Sequence, residues 1–239
     1  MKFHRHKEIG EEDMFERREI GFFFKKSIFF FDSLIVCLGD EITTKNSEPH
    51  VTQTTLFQNE YLSEISAIFI NGEINFLYKN LTKTVQGPGT VMDTLGNGYY
   101  IPHGRSVNVE INEQRSRTEN GKSVSKSRYA TVWLNHGVNP SSQSYEYAIL
   151  VGTNIKQMNA LLEAQASTLP LYEVLLKNSA VHMVRFTDTM GIVSERSPEY
   201  ESYGYSFFDA SVTLNQGPIV NVSDQCVVMA EIDSCNYSS

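Results

Sequence analysis

A cluster rich in basic residues runs from Arg105 to Arg128. It combines six bases with three acids, namely Arg105, Arg115, Arg117, Lys122, Lys126, Arg128, Glu110, Glu113 and Glu119. This excess of bases stands within a chain whose net charge is −8. Such a patch would attract an acidic polymer such as a sulfated polysaccharide. We favour the other interpretation, a solvated hairpin loop around Asn120 and Gly121.

No other group of residues has the spacing expected of a catalytic or metal site. Asp188, Glu195 and Glu199 do not form a recognisable pair of carboxylates for acid and base catalysis. The six histidines are scattered, and the three cysteines show none of the spacings of zinc sites. We therefore expect neither a metal nor a cofactor.

Two ring side chains could contact a ligand, and each also has a structural interpretation. Trp133 alternates with Val132 and Leu134, so it could stack on a sugar ring from one face of a sheet. We favour packing of Trp133 in the core or between sheets. His136 precedes Gly137, and we favour a turn residue that hydrogen-bonds the backbone over a catalytic base.

These residues lie in a sequence dominated by strand signals. Apolar and polar residues alternate over runs such as Ser106–Glu113, and Asn71-Gly72 is a strong signal for a two-residue hairpin turn. Helical periodicity is clear once, over Ile155–Ala166, with Thr153 or Asn154 as its N-cap. We predict an all-β fold, a large antiparallel β-sandwich with one short α-helix.

Turn residues divide the predicted strands. Asp32-Ser33 separates two apolar runs and predicts a hairpin within Ser27–Leu38. His136–Gln143 is rich in Gly, Pro, Asn and Ser and predicts a turn. Near the C-terminus, Ala210–Leu214 is predicted to form a further strand.

The composition indicates a folded, acidic domain. Hydrophobic residues make up 41% and charged residues 20% of the 239 residues, which is enough apolar material for a core and excludes global disorder. The negative net charge argues against nucleic acid as a partner, and no uncharged apolar run is long enough to span a membrane. Residues 1–20 form a charged tail without the apolar region of a secretory signal, and residues 21–239 are predicted to form one domain.

Several segments, in order and spacing over residues 20–215, resemble a known family. They are Lys26-Ser27, Phe29–Asp32, Ile35–Gly39, Thr54–Gln58, Ile70–Glu73, Gly96–Tyr100, Trp133–Gly137, Pro140 and Ser144–Tyr147. Together they resemble the central, galactose-mutarotase-like β-sandwich of polysaccharide lyase family 8, the chondroitin and hyaluronate lyases. The resemblance is closest to the chondroitin ABC lyases.

The resemblance implies a domain order and a chemistry. Members of the family have a helical toroid before the sandwich and a smaller β domain after it, and both are expected to be absent from this chain. They cleave acidic glycosaminoglycans by β-elimination, outside the cell or in the periplasm, whereas this chain shows no signal peptide and its location stays open. The family's catalytic His, Tyr, Arg and Asn lie in the toroid and have no counterpart here, so the chain alone is expected to be inactive.

One active-site residue of the family lies in the sandwich, a Glu just before a Thr-Thr pair, and Gln53 occupies that position here. Because Gln cannot carry charge, no catalytic residue is assigned. The resemblance places candidate substrate-binding residues at Gln53, Gln58, Asn97 and Tyr99. Tyr99 and Tyr100 point to opposite faces, so at most one can face a ligand, and the turn at Asn97 also has a structural interpretation, which we favour.

Three hypotheses follow for the function. The chain could be the sandwich portion of a glycosaminoglycan lyase that packs on a toroid domain or a separate toroid chain. It could instead be a carbohydrate-binding module without catalysis, or a degenerate fragment that binds nothing. The first hypothesis predicts an exposed apolar docking face, for which Phe22, Phe23 and Phe24 are candidates, although these three could also form an inner strand.

Overall fold

The computed structural model describes residues 21–45, 49–117, 123–193 and 200–233. Within these ranges the chain forms fifteen strands and one helix. In chain order they are β1 (Phe22–Phe31), β2 (Leu34–Thr44), β3 (Val51–Glu60), β4 (Ala67–Ile70), β5 (Glu73–Phe76), β6 (Leu81–Gln86), β7 (Gly89–Met92), β8 (Gly98–Ile101), β9 (Ser106–Arg117), β10 (Val124–Val138), β11 (Gln143–Leu150), α1 (Ile155–Gln165), β12 (Tyr172–Lys177), β13 (Val181–Thr187), β14 (Tyr200–Phe207) and β15 (Val227–Asp233). The predicted all-β fold with one short helix is confirmed.

The strands form three sheets with antiparallel pairing. The central sheet has the order β1-β2-β11-β8-β7-β4-β5, the outer sheet β3-β10-β9-β6, and the C-terminal sheet β12-β13-β14-β15. The central sheet lies between the other two layers. This position explains why a central strand such as β2 is apolar on both faces, whereas β9 and β10 of the outer sheet alternate between apolar and polar residues.

A first core fills the space between the central and outer sheets. The central sheet contributes Ile68, Ile70, Val91, Tyr99 and Ile101, and the outer sheet contributes Phe57, Val107, Val109, Ile111, Val132 and Leu134. The side chains that alternate with this outer-sheet set therefore face away from the core. They form the surface on which the candidate site lies.

A second core covers the opposite face of the central sheet. Phe29, Leu34, Val36, Leu38 and Tyr100 pack there against helix α1 and the C-terminal sheet. The far face of the C-terminal sheet carries a third, smaller apolar cluster, which the segment 208–226 covers with side chains such as Val212 and Leu214.

Helix α1 matches the prediction to within one residue. The Asn154 side chain caps it by accepting a hydrogen bond from the backbone N–H of Gln157 at 3.1 Å, which satisfies one free donor of the first turn. Met158, Leu161 and Ala164 face the second core, and Ala166, the C-cap, is exposed. None of the helical structure in the described residues is long and apolar enough to cross a membrane.

The predicted turns have a mixed outcome. The hairpin turns at Asp32-Ser33 and Asn71-Gly72 are confirmed, with positive φ at Asp32 and at both residues of the second turn. The turn predicted over His136–Gln143 begins later in the structure, because β10 continues to Val138 and the chain reverses over residues 139–142. The prediction of a strand at Ala210–Leu214 is wrong. This segment makes a single β-bridge and packs its apolar side chains without joining a sheet.

Strand β1 contains Phe22, Phe23 and Phe24, for which the sequence left open an exposed docking face or an inner strand. Phe22 and Phe24 pack against the first core, while Phe23 is 46% exposed and lies beneath the Lys45 ammonium group. Further along the same strand, Ile28 and Phe30 are exposed by 42% and 63%. The apolar surface of β1 therefore comes mainly from its middle and end rather than from its first residues.

Candidate functional site

A groove on the outer face of the outer sheet gathers two of the four predicted substrate-binding residues. It has a volume of about 270 Å³ and is lined by Gln53, Thr55, Gln58, Glu110, Gln114, Thr131 and Trp133. All but Trp133 are polar, and no base is among them. Such a surface offers amide and hydroxyl groups, which suit the hydroxyl groups of a sugar.

A β-bulge at Leu56 makes this grouping possible. Residues 53 and 58 would point to opposite faces of a regular strand. The register of β3 against β10 instead shifts between Val132, which pairs with Phe57, and Trp133, which pairs with Thr55. The extra residue lets Phe57 point into the core while both glutamines point outward, so Gln53 and Gln58 share one face.

Trp133 lies in the groove and not in the core, which corrects the favoured sequence interpretation. Its neighbours Val132 and Leu134 are buried, at 0% and 5% exposure, and β10 alternates strictly at this point. The Trp133 side chain therefore points outward and is half-buried among Thr and Gln side chains. A partly exposed indole with polar neighbours is suited to stacking on the apolar face of a sugar ring.

Hydrogen bonds fix several groove side chains. The Gln58 amide donates to Oε1 of Gln114, and the Gln114 amide donates to Oγ1 of Thr131 at 2.9 Å. This chain links strands β3, β9 and β10 across the floor of the groove. Gln53 at the other end is exposed and makes no side-chain hydrogen bond with the described residues, so its amide is free to meet a ligand.

Asn97 and Tyr99 lie elsewhere. Asp93 accepts hydrogen bonds from the Asn97 backbone at 2.8 Å, the Asn97 amide at 3.0 Å and the Tyr99 hydroxyl at 3.4 Å. Tyr99 is 6% exposed, and burial, together with the nearby Asp93 carboxylate, raises the pKa of its hydroxyl. Both side chains are used by the turn and the first core, so the structure does not bring them to the groove.

His136 occupies the opposite side of the outer sheet. Its Nε2 lies 2.8 Å from the Thr54 hydroxyl, and its ring centroid lies 5.9 Å from that of Tyr145. The expected backbone hydrogen bond is replaced by this contact between side chains. Burial, and secondarily the charge of Arg105, lowers the pKa of His136.

The bases of this cluster whose side chains the structure describes do not form one continuous free patch. Arg105 donates to the carbonyl of Ser144, Arg128 donates to the carbonyl of Leu77, and Lys126 pairs with Glu113 at 2.6 Å. Strands β9 and β10 pair as a hairpin, as predicted, while the loop around Asn120 and Gly121 lies outside the described residues.

Within the ranges that the structure describes, neither a metal-ligand cluster nor a cysteine adds a second candidate site. The part of the chain that the structure describes has no group of three His, Cys, Asp or Glu side chains that could hold a metal ion. Cys37 is buried in the first core and Cys226 is partly buried.

The family model for the super-sandwich domain of polysaccharide lyase family 8 matches residues 12–162. The chain belongs to this family. Among curated relatives, the chondroitin sulfate ABC exolyase of Proteus vulgaris is 29% identical over 236 residues, which cover 98% of this chain and 20% of that enzyme. The chondroitin sulfate ABC endolyase of the same species is 28% identical over 216 residues, 90% of this chain and 20% of the enzyme.

Solved structures agree with the family fold. A chondroitinase AC lyase superposes with a TM-score of 0.66 at 22% identity over 87% of this chain and 28% of its own. A xanthan lyase of Paenibacillus gives a TM-score of 0.61 at 20% identity over 90% of this chain and 20% of its own. The sequence therefore spans about a fifth of the length of the curated family 8 enzymes that it matches.

Sequence reasoning missed four residues of the groove: Thr55, Glu110, Gln114 and Thr131. The alternation in β9 and β10 already indicated that Glu110 and Thr131 point away from the core. No comparable signal marks the bulge at Leu56, which decides whether β3 adds its glutamines to the same face.

Proposed function

We propose that this chain is the β-sandwich portion of a glycosaminoglycan lyase of family 8, and that its groove forms one wall of the polysaccharide cleft. The observation that carries the proposal is that one β-bulge brings Gln53, Gln58 and Trp133 to the same exposed surface. Gln53 occupies the position at which the family resemblance places an active-site Glu. The sugar chain would lie along β10, with Trp133 stacking on a ring and the amides binding hydroxyl groups.

The chemistry that this wall would serve is β-elimination. A base removes the proton at C5 of the uronic acid, the electron pair forms the C4–C5 double bond, and the C4–O bond breaks as the departing oxygen receives a proton. The residues that line the groove are amides, hydroxyls, one carboxylate and an indole. The amides and hydroxyls are not bases near neutral pH, and the single carboxylate, Glu110, has no second proton-transfer group beside it in the groove. We therefore assign this wall to positioning the sugar, and the proton transfers to groups supplied by a toroid.

The test measures binding of an unsulfated chondroitin hexasaccharide to the whole chain by calorimetry. The Trp133→Ala variant should bind about 5-fold more weakly, because an aromatic stacking contact contributes on the order of 1 kcal/mol. Phe30→Ala is the matched control, since Phe30 is also an exposed aromatic on a strand but belongs to β1 of the central sheet. Equal binding by Trp133→Ala and the parent chain would overturn the assignment of the groove.

A second candidate function, a carbohydrate-binding module that acts without a toroid, is favoured by one observation. Tyr129 and Trp133 lie on the same side of β10, and both are partly exposed. A row of aromatic side chains on one sheet face is suited to holding a sugar chain by stacking alone. This function predicts the same loss on Trp133→Ala and a comparable loss on Tyr129→Ala, whereas the lyase wall requires only the first.

A further inference from the structure

The groove has an unusual charge for a surface proposed to hold an acidic polymer. Its seven lining residues include no Lys or Arg, and its single charged group is Glu110. Glu110 is half-buried in β9, opposite Thr131 of β10, and makes no ion pair with any residue that the structure describes. A sulfate group placed in the groove would meet this carboxylate with no cation between them.

Two bases of the neighbouring hairpin, Arg115 and Lys126, do not offset the charge of Glu110. Arg115 and Lys126 lie opposite each other on β9 and β10. Gln114 points into the groove, so its neighbour Arg115, and Lys126 opposite Arg115, point to the other side of the outer sheet, the side of the core. Both are also ion-paired with Glu113. The hydrogen-bonded Gln58 and Gln114 amides beside Glu110 are neutral, so they cannot screen its charge as an arginine would.

We propose that Glu110 is a specificity-determining residue, which makes this groove select the unsulfated segments of a glycosaminoglycan chain. The inference rests on the proposed function, because it assumes that the sugar lies in the groove. A saccharide that presents hydroxyl groups is bound by the amides and by Trp133. One that presents a sulfate at the same place is rejected by like-charge repulsion in a partly desolvated site.

The chain contains one tryptophan, so its fluorescence reports on this groove alone. The experiment titrates the whole chain with two chondroitin hexasaccharides, one unsulfated and one sulfated on each hexosamine, and follows tryptophan emission at constant ionic strength. We expect the unsulfated hexasaccharide to bind about 3- to 10-fold more tightly, the effect of one like charge at the edge of a partly hydrated site.

Two variants separate the local carboxylate from the charge of the whole protein. Repulsion by the net charge of −8 would also disfavour the sulfated chain. Glu110→Gln should abolish the preference, whereas Glu60→Gln should retain it. Glu60 is a matched control, because it lies exposed on the same face of the outer sheet, opposite Tyr129 and outside the groove, and its loss changes the net charge equally.

The outcomes distinguish this inference from the function on which it rests. If neither hexasaccharide alters the emission of Trp133, the proposed sugar-binding wall fails and the inference fails with it. If both bind equally, if the sulfated chain binds more tightly, or if Glu110→Gln and Glu60→Gln behave alike, the selectivity of Glu110 is overturned while the wall stands.

Discussion

At the scale of single residues, His182 is a buried imidazole that the proposed function does not use. It lies on β13 and is fully buried against β1. Its Nδ1 is 2.8 Å from the Ser27 hydroxyl, and its ring meets the Phe208 ring edge-on. Its Nε2 has no hydrogen-bond partner. Burial lowers the pKa of His182 from 6.5 to about 4, with Lys177 and Lys25 acting in the same direction and Asp40 opposing them.

This imidazole should make the protein less stable in mild acid. Between pH 6.5 and 4 the unfolded chain binds a proton at His182 that the folded chain does not, so the free energy of unfolding falls as the pH falls. From pH 7 to 5 we expect His182 to account for roughly 2 kcal/mol of that fall, at ~1.4 kcal/mol for each pH unit. Urea unfolding at the two pH values measures it.

The variant His182→Gln isolates this contribution, because its neutral amide can still bond to the Ser27 hydroxyl. Its free energy of unfolding should fall less than that of the parent chain between the same two pH values. Other titrating groups, such as His136, affect both proteins equally. An identical fall in both proteins would contradict the assignment of the effect to His182.

At the scale of elements, the pairing of β2 with β11 depends on a glycine. Gly39 lies opposite Tyr145, and a Cβ atom at residue 39 would come within 2.0 Å of the Tyr145 ring. The ring covers the glycine, packs against His136 and Tyr147, and is 5% exposed. It therefore cannot move aside without disturbing the first core.

Gly39→Ala should consequently lower the free energy of unfolding by about 1–3 kcal/mol through overpacking. In a Tyr145→Ala background the same substitution should be neutral or slightly stabilising, because alanine suits a strand better than glycine once the ring is gone. Denaturant unfolding of the four proteins in the cycle gives the coupling. Additive effects of the two substitutions would show that the close contact does not limit this pairing.

The elements also show why part of the site could be predicted and part could not. Alternation located β9, β10 and their outward residues, and the Asn154 cap located α1, because local patterns of polarity and hydrogen bonding decide these features. The bulge at Leu56 depends on the register that β3 adopts against β10, a contact between distant segments that leaves no local signal. The burial of Tyr99 follows likewise from the stacking of two sheets.

At the scale of the whole molecule, strand β1 leaves an apolar edge open. Ile28 and Phe30 are exposed and alternate with the buried Phe29 and Phe31. Among the strands that the structure describes, β1 has a partner on one side only and forms an edge of the central sheet. A toroid packed on the sandwich would cover such a surface. Without one, an exposed apolar edge strand promotes association between copies.

We therefore expect the isolated chain to self-associate as its concentration rises, measured by sedimentation, and to bind a hydrophobic dye. Phe30→Lys should weaken both effects. Leu95→Lys is the control, because Leu95 is 74% exposed but lies in a turn. A chain that stays monomeric at every concentration and binds no dye would count against a docking face and favour the independent binding module.

The whole chain should show no lyase activity on chondroitin sulfate or hyaluronan, followed as the absorbance of the unsaturated uronic product. General acid and base groups each contribute about 10²- to 10⁴-fold, and the groove offers only the Glu110 carboxylate, with no second proton-transfer group beside it. Gln53→Glu should be inactive as well, because one added carboxylate cannot by itself supply both the base and the acid that β-elimination needs. An active family member assayed alongside is the positive control, and product formation by the purified chain above that of a mock preparation would refute the expectation.

The central sheet is shared by two cores, one on each of its faces, and this makes the domain hard to divide. Leu34 pairs with Leu150, far away in sequence, and the same strands carry Cys37 toward one core and Leu38 toward the other. A fragment that stopped at residue 162, where the family match ends, would lack the C-terminal sheet and expose one apolar face of the central sheet to water. We therefore expect both layers to form and melt as one cooperative unit, and a fragment without the C-terminal sheet to be much less stable than the whole sandwich.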